Sequence, residues 1–163
     1  MGAGQGGRSR IIGSMDAIDR KILRVLQQDA RTSLQQVGQA VGLSASPCWE
    51  RIKKMEQAGV IEGYTVRLNA PALGWNDTVL VQLTLDSHTD NTLEKFGEVL
   101  ATIPEVIEAY LVSGEYDYLL RVAVQDTRDY ERLLREKLYK IKGIRHSKSS
   151  FVLRTLKKAD LPL

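Results

Sequence analysis

Cysteine is almost missing from this chain of 163 residues: Cys48 stands alone. A single thiol cannot close an internal disulfide, so covalent stapling is excluded and a reducing cytoplasm is the expected compartment. Histidine is nearly as scarce, with only His88 and His146. No spacing of Cys, His, Asp and Glu suggests a metal cluster, so no metal or cofactor is expected. A glycine-rich phosphate loop and a nucleophile–base pair are also missing, which argues against an enzyme. No apolar run approaches the roughly 20 residues that cross a bilayer, so no membrane partner is expected. Nor does an apolar leader with a cleavage site open the chain, an expectation against export.

Strong charge is missing too. The net charge is +3, with a pI near 9.0. Split along the chain, residues 15–70 carry +2, residues 71–163 carry −1, and Arg8 and Arg10 supply the rest. So mild an excess makes a polyanion partner depend on pairing several copies, because phosphate affinity accumulates with each cation placed.

What is present is ordinary globular composition, 43% hydrophobic and 26% charged, with clear punctuation. Residues 1–14 are glycine-rich and too poor in apolar surface to offset ordering entropy. They read as a flexible tail, native or left by a fusion at Gly13-Ser14-Met15. Asp16 then offers a helix cap, followed by Ile18, Ile22, Leu23, Val25 and Leu26 on one face. Ser33 can cap a second helix bearing Leu34, Val37, Ala40 and Val41, closed by Gly42-Leu43. Ser44 is the expected cap of a third helix, with Pro47 in its first turn. Cys48, Ile52 and Met55 recur at spacings of four and three, so they face the other two helices, and Gly59 stops the helix.

Two helices joined by a tight glycine turn, the second carrying cations, have the form of a helix-turn-helix that enters a DNA groove. The candidate DNA-binding residues are Ser44, Ala45, Ser46, Trp49, Glu50, Arg51, Lys53 and Lys54. Ser46 can donate to a phosphate or base edge, Lys53 and Lys54 can neutralise phosphates, and Trp49 can press on sugar or a thymine methyl. Arg51 flanks the buried stripe, and both internal pairing and phosphate contact are open to it. Cys48 reads as a small buried hydrophobe of the head rather than a nucleophile.

After an extended segment, Val60 to Leu68, and the breakers Asn69-Ala70-Pro71-Ala72-Leu73-Gly74, the pattern becomes β-rich. Strands are expected at Val79 to Leu85, Val106 to Val112, Tyr118 to Val124 and Ser149 to Leu156. One helix is marked by Leu93, Phe96, Val99 and Leu100, a second by Tyr130, Leu133, Leu134, Leu138 and Tyr139. The order βαββαβ, with a weak internal repeat, implies a ferredoxin-like sandwich with both helices on one sheet face. Leu80, Leu119 and Ala123 then point to the uncovered face, which invites a second copy. The fold class is therefore α+β: a winged-helix-like helical head over residues 15–63, a hinge over 64–77, the ferredoxin-like effector and dimerisation domain over 78–157, and a tail over 158–163.

Asp19-Arg20-Lys21-Ile22-Leu23, the junction Leu43-Ser44-Ala45-Ser46-Pro47-Cys48, and Gly59-Val60-Ile61-Glu62-Gly63-Tyr64 together resemble the Lrp/AsnC family of transcriptional regulators. Val112-Ser113-Gly114-Glu115-Tyr116-Asp117-Tyr118 resembles that family's effector-domain signature. The resemblance covers about residues 15–157. It implies a DNA-binding homodimer that assembles further, from tetramer to octamer, under control of an amino-acid effector bound between dimers.

A hairpin turn by itself accounts for Gly114. An amino acid, however, needs a carboxylate for its ammonium, which Asp117 offers, and donors for its carboxylate, which backbone near Gly114 and Tyr116 and the hydroxyls of Ser147, Ser149 and Ser150 offer. By the resemblance, Thr127, Phe151 and Val152 also belong to the effector-responsive positions. Ser149 and Ser150 stand where many relatives carry Thr or an aromatic. The Lys/Arg residues from Arg132 to Lys142 alternate with Glu131 and Glu136 and read as a solvated face. An RNA-recognition domain shares the βαββαβ order, but Tyr118-Leu119-Leu120-Arg121-Val122-Ala123-Val124 lacks its stacking aromatics. A ligand sensor that binds no DNA is the remaining rival.

Overall fold

A computed structural model describes residues 15–86 and 90–163; the expectations for residues 1–14 and for His88 lie outside these described residues. The chain divides into two compact units. One holds the residues up to Arg67 together with Lys158–Leu163, and the other is Leu68–Lys157.

The first unit contains α1 (Ala17–Gln28), α2 (Leu34–Val41) and α3 (Ala45–Gln57). Each of the first two starts with reciprocal side-chain capping. Asp16 accepts from the N–H groups of Ile18 and Asp19, and Asp19 accepts in return from the Asp16 N–H. Ser33 and Gln36 do the same for α2. Ile22, Leu23, Val37, Cys48, Ile52 and Met55 close a single apolar core. At the α2–α3 turn Gly42 adopts φ 79°, and a Cβ on Gly38 would lie 2.5 Å from the Leu43 carbonyl oxygen. The turn is therefore as tight as it is because Gly38 has no side chain.

The second unit runs β1 (Asp77–Leu85), α4 (Asp90–Ala101), β2 (Val106–Leu111), β3 (Tyr118–Val124), α5 (Thr127–Glu136) and β4 (Ile144–Phe151). The sheet order is β2-β3-β1-β4, with every neighbouring pair antiparallel. Alternation sets the faces. Val79, Val81, Leu83 and Leu85 of β1 and Leu120, Val122 and Val124 of β3 are fully buried against Phe96 and Leu100 of α4 and Tyr130 and Leu133 of α5. Leu80 and Leu119 are half-buried and stand out of phase with that set, while Ala123, also out of phase, is buried.

Residues 60–68 form neither helix nor strand. Four expectations change. Val99 is 41% exposed, so the buried stripe of α4 is Phe96 and Leu100. Tyr139 is exposed because α5 ends at Glu136 and Lys137 leaves the helical region with φ −122°. β4 lies five residues earlier than its apolar run suggests. Gly143 turns the chain at φ 95°, the Asp86 N–H donates to the Gly143 carbonyl at 2.8 Å, and β1 then templates Ile144 onward. Beyond Phe151, Leu153 and Leu156 are strongly exposed. Residues 158–163, expected to form a separate tail, belong to the head unit. Leu163 packs against the head's apolar cluster, Arg24 donates through Nε (3.0 Å) and Nη2 to the Leu163 oxygen, and Gln27 donates to the Leu161 carbonyl at 3.2 Å.

Candidate nucleic-acid interface and ligand residues

The α3 helix turns Cys48, Ile52 and Met55 inward, which leaves Ala45, Ser46, Trp49, Glu50, Lys53 and Lys54 exposed on its far side. That face is polar, carries a half-exposed indole, and has a spacing that fits a groove. Lys53 reaches Glu56 at 3.1 Å, and Tyr64 donates to the same carboxylate at 2.9 Å. The two contacts, Lys53 first, hold the Glu56 carboxyl below its usual range.

Ser44 occupies the cap position of α3 with extended backbone, yet its side chain makes no capping hydrogen bond. The expectation that it caps the helix is corrected by the residue three places on. A cap serine normally accepts from the N–H of the second or third helical residue, and the third here is Pro47, which has none. Ser44 is exposed at this helix start. Arg51 takes the internal one of its two open roles: its Nη1 donates to Asp16 Oδ2 at 2.7 Å and to Asp19 Oδ1 at 2.8 Å. It therefore does not belong with the exposed DNA-facing set.

The candidate ligand residues fall into two groups at opposite ends of the sheet. Gly114, at φ 136°, lies in the exposed β2–β3 turn beside half-buried Tyr116 and Asp117. Ser147 is opposite Leu83, near that same end. Asp117 already has structural work: it accepts from the Leu85 N–H at 2.7 Å, its own N–H donates to the Leu83 carbonyl at 2.9 Å, and its carbonyl accepts from Val112. It pins the end of β1 where the β1–β4 register shifts.

At the other end, Thr127 opens α5, Phe151 is paired with Val79, and the Val152 N–H donates to Thr78. Ser149 shares a hydrogen bond with the Tyr130 hydroxyl, and Phe151 meets the Tyr130 ring edge-on at 5.4 Å. Burial pushes the Tyr130 phenol up, against the opposing pull of Ser149. Ser150, paired with Leu80, is on the opposite sheet face from Ser149. Leu83 and Val79 are four strand residues apart, about 13 Å. A groove of about 610 Å³ between α4 and β2, lined by Leu93, Gly97, Leu100, Ile107 and Leu111 among others, contains none of these candidates.

Three cations of this region are matched by acids: Arg132 with Asp129, Arg135 with Glu131 and Glu136, and Lys137, just past α5, with Glu105. Sequence reasoning missed Gly38, the Asp16–Asp19–Arg51 contact and the tail contact with Arg24. A glycine inside an otherwise good helix was the one available signal for the first.

Comparison with known proteins places this geometry. The AsnC-type helix-turn-helix domain matches residues 15–56, and the Lrp/AsnC ligand binding domain matches residues 78–162. The leucine-responsive regulatory protein of Serratia marcescens is 36% identical over 154 residues, covering 94% of both chains. That of Escherichia coli K12 is 37% identical over 146 residues, covering 90% of this chain and 89% of the other. A crystal structure of an AsnC family transcriptional regulator from Agrobacterium tumefaciens superposes with TM-score 0.86 at 41% identity, covering 91% of this chain and 97% of that one. A Neisseria meningitidis regulator solved with L-Met also gives TM-score 0.86, at 29% identity and the same coverage. With its helical head, its four-stranded sandwich and both domain matches in order, the chain belongs to the Lrp/AsnC family of DNA-binding transcriptional regulators, which are not enzymes.

Proposed function

We propose that α3 lies in the major groove, with Ser46, Trp49 and Glu50 toward base edges and Ser44, Lys53 and Lys54 toward phosphates. Ala45 sits beside them at the helix start, where its backbone N–H can approach a phosphate. The observation that carries this reading is the exposure of that whole set on one helix while Cys48, Ile52 and Met55 seal the core behind it. Glu50 lies centrally on the face, where an acceptor discriminates for a cytosine amino group. Heads are paired by a second copy apposed to the open sheet face, and the pairing extends beyond the dimer. The stretch 64–77 serves as the hinge between head and sheet, and the protein works on DNA in the cytoplasm.

The second unit takes an amino acid. The ends of the predicted ligand set are about 13 Å apart in one chain, whereas an amino acid carries its ammonium and carboxylate on one carbon. The two ends therefore do not grip one amino acid together within a single chain, and a second copy supplies the remainder of the grip. The Neisseria regulator's L-Met complex supports this class of ligand.

Fluorescence anisotropy with the chain's own upstream DNA, across a salt series and with each of the twenty amino acids, tests both halves. The K53Q/K54Q double variant lowers the log–log salt slope by about two per head engaged. At least one amino acid shifts affinity and sedimentation together. An unchanged slope overturns the phosphate assignment, and twenty inert amino acids overturn the ligand assignment.

A further inference from the structure

The Arg51 guanidinium sits on the helix that reads DNA, yet it is turned away from the DNA-facing side. We propose that Arg51 is a positioning residue: clasped by Asp16 and Asp19, it fixes the tilt of α3 on α1 and so sets sequence discrimination, while neutralising no phosphate. This rests on α3 being the groove-entering helix.

The bonding around the clasp is complete. Asp16 spends Oδ1 on the N–H groups of Ile18 and Asp19, both at 2.8 Å, and Oδ2 on Arg51. Asp19 spends Oδ2 on the Asp16 N–H at 3.0 Å and Oδ1 on Arg51. Each carboxylate thus uses one oxygen to start α1 and the other to hold α3. The start of the first helix and the middle of the third are joined through one nitrogen. Asp19 is buried beside Asp16, and the cation between them offsets the repulsion of the two carboxylates.

Arg51 spends its charge on two carboxylates, and drawing it off toward a phosphate would strand the buried Asp19 carboxylate. Lys53, exposed and paired with a Glu56 carboxylate that is partly open to solvent, faces a much smaller obstacle. Geometry therefore separates two kinds of cation on one helix: those that add affinity on any DNA, and one that decides which DNA is preferred. A loss of tilt removes base-edge contacts, which are directional, while the salt-dependent phosphate attraction persists.

The experiment uses the full chain and two duplexes: a promoter fragment enriched by the protein from genomic DNA, and a scrambled duplex of equal composition. For R51Q, affinity for the enriched duplex falls about tenfold or more, affinity for the scrambled one changes less than about twofold, and both salt slopes persist. K53Q instead weakens both duplexes alike and lowers the slope by about one per head. D19N reproduces the R51Q pattern, and the D19N/R51Q double variant is no worse than either single one, the non-additivity of partners in one contact. A general loss of folded protein would weaken both duplexes equally, so the ratio between them reports the clasp itself. Should R51Q not fold, R51K and D19N carry the same comparison. A fall of about one per head in the R51Q slope, equal weakening on both duplexes by an R51Q chain with wild-type circular dichroism and melting, or full discrimination in D19N each overturns the proposal. An R51Q that keeps its preference for the enriched duplex does so too. If the wild-type chain showed no preference between the duplexes, the groove-entry reading would fail first.

Discussion

The two units solve the same problem of rigidity by different means. The ligand unit is held by an apolar layer: seven side chains from β1 and β3 with no exposure at all, packed beneath two helices. The head has a smaller apolar core and adds directional fasteners, the Arg51 clasp, two reciprocal caps and a turn that only glycine allows. Apolar burial is non-directional and tolerates adjustment, whereas hydrogen-bonded fasteners fix orientation. A helix proposed to read DNA needs orientation, and a sandwich proposed to answer a ligand needs cohesion with some freedom to shift.

That contrast can be broken experimentally, because Trp49 lies in the head unit and Trp75 in the other. Replacing either by Phe leaves the remaining indole as a reporter of one unit. The largest effect belongs to Leu120→Ala, which opens the sandwich core and costs about 3 kcal/mol in urea unfolding followed at Trp75. Gly38→Val comes next, about 2 kcal/mol at the head, because its Cβ meets a carbonyl and not a flexible side chain. Followed at Trp49, it erodes DNA binding with it.

Asp117→Ala removes the acceptor for the Leu85 N–H and costs about 1–2 kcal/mol. Asp117→Asn keeps an acceptor oxygen, costs less, and separates the strand-pinning task from any charge-dependent ligand response. The smallest effect is on pH. Backbone hydrogen bonding from Asp19 and then Arg51 hold the Asp16 carboxyl below its usual range. An acid depressed in the folded state contributes its stabilisation in full above the unfolded value of about 3.9 and loses it as pH falls through the lower folded value. The head's Trp49 midpoint is therefore flat from neutrality to about pH 5 and declines below about pH 4.

Much of this was legible from residue order. The spacing of Ile22, Val37, Cys48, Ile52 and Met55 marked the head core, and the alternation Val81-Gln82-Leu83-Thr84-Leu85 in β1 marked the sheet's buried face. Both follow from periods set by backbone geometry. What escaped the sequence depended on neighbours distant along the chain. β4 looked as if it began at Ser149, because Ile144-Arg145-His146-Ser147 has weak strand preference and is held by β1 and the Gly143 turn. Arg51 lies 35 residues from Asp16, so no local pattern marks their contact. Asp117 was marked as a ligand candidate by its acidic turn, but its strand-pinning task was not legible, because the Leu85 N–H that it holds is 32 residues away.

Pro47 carries one further consequence. Its ring removes one of the two amide targets that a cap hydroxyl can take, and the hydroxyl of Ser44 is left without a capping bond. An alanine there would restore an amide proton, draw that hydroxyl home and make a sturdier helix with a poorer grip. In this junction a small sacrifice in self-sufficiency leaves one polar group permanently on offer.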